Sequence, residues 1–154
     1  MYFILLALHS LVRWLVLSGL LLSIVCAYRG WILKKAFSRS DNALRHWTAT
    51  IAHIQLVIGL LLYFISPVVH YFVQHYKNAV HQSQIRFFGM EHSSMMLLAI
   101  IIMTIGSARA KRQKEDNGKF KTIAIWFTIA LLIILFSIPW PFSPFASRPY
   151  FRFI

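Results

Sequence analysis

Four apolar runs divide this chain: roughly Tyr2–Ala27, Leu44–Ile65, Phe87–Gly106 and Thr122–Ile138. Each is close to or above the length of about 18 residues that reads as a membrane-crossing helix. With 58% hydrophobic residues among 154, this is not the composition of an ordinary soluble domain. The first run has no basic leading region and no small-residue cleavage site, and Arg13 interrupts it. It therefore reads as a retained first helix, not a removed leader. Short connections force neighbouring spans to run antiparallel. The expected fold is all-α: one integral-membrane domain over residues 1–154, an antiparallel bundle of four transmembrane helices.

Charge fixes the expected orientation. A formal net charge of +12 would suggest nucleic acid if it sat on one soluble face, but here it is divided among connections. Between spans one and two lie Arg29, Lys34, Lys35, Arg39 and Arg45; between three and four lie Arg109, Lys111, Arg112, Lys114, Lys119 and Lys121. The other side has only Lys77, Arg86, Arg148 and Arg152. Eleven against four is a positive-inside bias, placing both termini on the outer, periplasmic side of a bacterial inner membrane. The basic connections suit anionic lipid head groups, so the expected partner is the bilayer and not nucleic acid. The single cysteine, Cys26, leaves no internal disulfide and no CxxCH for covalent haem attachment.

Between the spans, Ser40–Asp41 reads as the start of the second helix and Ser66–Pro67 as its end. In the following segment Val69, Phe72, Val73, Tyr76 and Val80 fall at helical spacing, which predicts a short amphipathic helix on the membrane surface. Asn117–Gly118 reads as a turn. Residues 139–154, with four prolines and many aromatics, read as an extended tail at the outer interface.

Three of the four runs carry a histidine: His9, His53 and His92. Beyond Arg45 at the edge of the second run, two charges lie within them, Arg13 and Glu91. Ionisable groups are costly in hydrocarbon, so they face a bundle interior, a bound group or a water pocket. At about 1.5 Å per residue, His9 lies about 6 Å below an entry near Leu5 and His92 about 6 Å below Phe88, whereas His53, about 9 Å above Trp47, falls in the inner half. Two histidines at one level on different helices can hold a haem iron between them, with burial and second-shell bonds tuning it. On the third span His92, Met96, Ala99, Met103 and Gly106 share a face, a stripe of small and sulfur-bearing residues with room for a flat macrocycle; Met96 is also a candidate ligand. Arg13, one turn below His9, is placed to reach a haem propionate or to form an ion pair with Glu91. Glu91 is also a candidate proton relay beside a quinol site. The competing reading for each histidine is a structural bond to a neighbouring helix. His70, His75 and His81 have no metal-site spacing.

The stretches LHSLVRW, HIQLVIGLLLYFISP, RFFGMEHSSMMLLAIIIMTIG and IPWPF together resemble a group of small four-helix membrane proteins named as cytochrome b-like. The likeness covers nearly the whole chain. It implies non-covalent haem b, with His9, His53 and His92 at the ligand positions. The fourth span has no histidine, so one haem is the expected count.

The leading expectation is a membrane electron-transfer subunit with haem between its helices, exchanging electrons with quinol or a respiratory complex. A haem-free accessory or assembly subunit of a larger complex is the first competitor, motivated by the apolar outer segments. The second is a porphyrin or quinone oxidoreductase, in which Arg13 anchors a carboxylate and His9 or His92 moves protons. A homo-oligomer is compatible with each.

Overall fold

The computed structural model describes residues 1–150; Arg152, one of the basic residues assigned above to the outer side, lies outside the described residues. Helix α1 (Tyr2–Ile32) leads to α2 (Arg39–Ile65). Three short helices follow, α3 (Pro67–Gln74), α4 (Tyr76–Ala79) and α5 (Ser83–Arg86). A π turn at Phe87–Glu91 then enters α6 (His92–Arg112), and α7 (Asp116–Ser137) completes the bundle. Four helical stretches are long and apolar enough to cross a membrane: α1, α2, the continuous Ser83–Arg112 segment and α7.

Local chemistry sets the ends. Helix α2 starts at Arg39, one residue before the expected Ser40–Asp41 signal. Ser38 is its cap, accepting from the Asp41 amide at 3.1 Å, while Asp41 accepts from the Ser38 amide at 2.9 Å. Ahead of that cap, Lys34 takes the left-handed conformation at φ 48° and turns the chain back. Ser66 ends α2 as expected, and Pro67 opens α3, where its missing N–H costs nothing. Asn117–Gly118 is not a turn: it lies in the first turn of α7, closed by Lys119 on Asp116 at 2.8 Å. The expected surface helix is split at His75. Val69 and Phe72 face inward, while Val73 and Tyr76 remain exposed.

The long helices form a ring in the order α1, α2, α6, α7, with α2 and α6 the least closely packed neighbours. Small residues let the other faces approach. Thr48 rests on Gly19 and Ser23, Phe120 on Gly30, and Trp126 on Gly106. Residue pairing is antiparallel between neighbours, as Arg45 with Ser107 and Tyr63 with Gly89 illustrate for α2 and α6. Leu20, Met103, Phe127 and Ile138 are fully buried at the centre. Residues 139–150 form neither helix nor strand. Their anchor is Trp140, stacked on Phe142 and packed against Trp14 and Tyr150.

Candidate functional site

His9 and His92 project from α1 and α6, which are not neighbours in the ring, and their imidazoles meet across it. The ring centroids are 6.4 Å apart, with the planes at 70°. His92 Nδ1 lies 2.8 Å from the Ser137 carbonyl of α7. A carbonyl can only accept, so Nδ1 carries the proton and Nε2 keeps its lone pair. His9 has no such bond, and its Nδ1 is buried without a partner. Gly59 of α2 makes room for this ring: a Cβ there would lie 3.2 Å from His9 Cε1.

Both rings border a cavity of about 390 Å³ at the end of the bundle that carries the N-terminus and the tail. That volume falls in the range of ligand sites, about 300–1,000 Å³. Its polar wall is formed by Ser10, Arg13, Gln55 and the tail's Arg148, and Met96 adds a thioether below His92. Arg13 donates to Ser10 Oγ at 3.5 Å and to the Tyr150 carbonyl, a carbonyl also bonded by Trp14 at 3.3 Å. Its Nε is buried without a partner, as is Gln55 Oε1. Thus three of the four unpartnered buried side-chain polar atoms among the described residues lie on residues lining this one cavity. Buried polar groups are normally satisfied, so this cluster of exceptions singles out the cavity as the candidate site.

The remaining candidates fall elsewhere. His53 does not join the pair: its Nδ1 lies 2.6 Å from the Ala49 carbonyl and its Nε2 2.9 Å from Thr104 Oγ1, so both ring nitrogens serve helix packing. Glu91 does not pair with Arg13. It holds Arg86 at 2.6 Å, because the intervening π turn brings residues five apart onto one face, and its side chain is not part of the cavity wall. The stripe below Met96 does not make room for a macrocycle either. Ala99 and Met103 are fully buried in the core, and Gly106 accommodates Trp126 of α7. Gln55, Gly59 and Arg148 were not singled out as site residues from sequence. The available signal was Gln55, the one glutamine in the second apolar run. The described residues hold no cluster of three or more metal-binding side chains; His70, His75 and His81 are exposed.

In one respect the donor set matches a haem: the spacing of the two imidazoles. Two imidazoles on opposite sides of one metal ion, each at about 2 Å, have ring centres about 6 Å apart, close to the 6.4 Å found here. A ligating histidine usually gives its other N–H to a carbonyl, the role Ser137 has toward His92. Comparison with protein-family models, curated proteins and solved structures gives no match. The chemistry of the cavity is therefore argued from its own residues.

Proposed function

We propose that this chain is a membrane b-type cytochrome-like electron-transfer subunit, in which His9 and His92 would hold the iron of one haem b between the helices. The observation that carries the reading is the facing pair of imidazoles inside a cavity, one with Nδ1 committed to Ser137 and the other unpartnered. Haem b supplies a one-electron couple when bound. The protein's part is to hold, orient and bury it. Ser137 fixes the tautomer and tilt of His92. Gly59 leaves the His9 ring its space. Arg13 and Arg148, both on the wall, suit the carboxylate ends of the ligand, with Met96 packing beside His92. The basic connections belong on the cytoplasmic side of a bacterial inner membrane, which puts this cavity toward the outer face. A haem held there would be within reach of quinol or a respiratory complex near that face.

The visible spectrum of purified, dithionite-reduced protein tests this. A haem band should be present in the parent and in His53→Ala, and lost in His9→Ala and His92→Ala. Absence of the band in the parent, or its persistence in both ligand variants, overturns the proposal.

A further inference from the structure

Hydrogen bonds tie α2 to the α6 segment at three levels, leaving a gap between two of them. At one end Arg45 donates to the Ser107 carbonyl at 3.2 Å and also to its hydroxyl. Two turns along α2, His53 bridges to Thr104 at 2.9 Å. Toward the other end Tyr63 donates to the Gly89 carbonyl at 3.0 Å. The stretch of α2 from His53 to Tyr63 is about 15 Å long. Among the described residues no α2–α6 hydrogen bond crosses it.

Leu60 of α2 and Leu97 of α6 both fall within this gap. Both line the cavity, yet each is 47% exposed, and Ser94, which lines it too, is exposed as well. Side chains that touch the interior space and the outer surface together form the rim of an aperture. In a bundle of four membrane-length helices, that surface meets acyl chains. A purely apolar occupant would leave Arg13 Nε, Gln55 Oε1 and His9 Nδ1 unpaired.

We propose that the cavity opens sideways into the bilayer through a window between α2 and α6, and takes a membrane-dissolved amphiphile whose polar groups are received by Arg13, Gln55 and His9. His53–Thr104 and Tyr63–Gly89 are the two edges of the window. Haem is one such amphiphile, so only the ligand's identity rests on the preceding reading.

A lipophilic aryl diazirine photolabel, dissolved in phosphatidylcholine vesicles holding protein from haem-starved cells, tests the window. Mass spectrometry should find insertion at Ser10 and Gln55. In Leu97→Trp and Leu60→Trp that insertion should be lost, while Leu11 and Leu15 on the exposed face of α1 label as before. No insertion at Ser10 and Gln55 in the parent, or insertion that persists in both tryptophan variants, overturns the window. A protein that labels through the window but gives no haem spectrum in replete cells overturns the haem reading alone.

Discussion

Gln55 and His53 sit two residues apart on α2 and meet opposite circumstances. Gln55 reaches α1, donating to the His9 carbonyl at 2.8 Å, and leaves its own carbonyl unpartnered beside the cavity. His53 reaches α6 and has both nitrogens engaged. An interhelical hydrogen bond in a membrane protein contributes modestly, because the separated helices also find partners. His53→Leu should therefore cost about 0.5–2 kcal/mol of stability and leave any haem band in place. A double-mutant cycle with Thr104→Val, followed by unfolding in mixed micelles, should return a coupling in the same direction. No coupling would show that the His53–Thr104 contact contributes nothing. These residues also mark how far sequence could reach. Depth is additive along a helix, so the shared level of His9 and His92 could be computed from the ends of their runs. Which helix a side chain faces depends on the rotation of each helix about its axis, and His53 and Gln55 differ only in that.

At the scale of elements, the decisive departure is the π turn at Phe87–Glu91. One extra residue per turn changes which side chains are neighbours, and a reading at 3.6 residues per turn cannot anticipate it. That is why Glu91 was expected beside Arg13 and is found on Arg86. The stripe of small residues on α6 was misread for a related reason. Small side chains leave space, but sequence does not say whether a ligand or another helix fills it. Here Trp126 does, for Gly106. A side chain at Gly106 would run into the Cβ and Cγ of Trp126, so α7 itself must shift. Gly106→Val should destabilise the α6–α7 pair by about 1–3 kcal/mol, as overpacking does. Trp126→Leu in the same chain should not recover that loss, because leucine keeps the Cβ and Cγ that the new side chain would meet. Thermal unfolding of the two variants in detergent decides it: equal stability of Gly106→Val and the parent would mean the contact is not tight. By contrast, the ends of α2 and α3 were nearly legible, since Ser38, Ser66 and Pro67 act through their nearest neighbours.

For the molecule as a whole, hydropathy and charge carry different information. The four spans were visible because hydrocarbon demands long apolar runs, and all four are present as helices. Their sidedness is not a property of the bundle alone, which would pack identically either way up. It follows from the distribution of Lys and Arg, whose transfer across a membrane sets orientation. The connection at 113–115 and the ends flanking it carry Arg109, Lys111, Arg112 and Lys114, whereas the segment joining α2 to α6 offers Lys77 and an Arg86 already paired with Glu91. In a Cys26→Ser background, Lys77→Cys should react with a membrane-impermeant maleimide on spheroplasts. Lys114→Cys should react only after the membrane is opened. The reverse pattern would turn the bundle over and put the His9–His92 cavity toward the cytoplasm. The window between α2 and α6 would be unaffected, because it faces acyl chains in either orientation. Electron exchange would not: a haem at that depth would then meet cytoplasmic donors. Sidedness therefore decides which redox partners the proposed haem can reach.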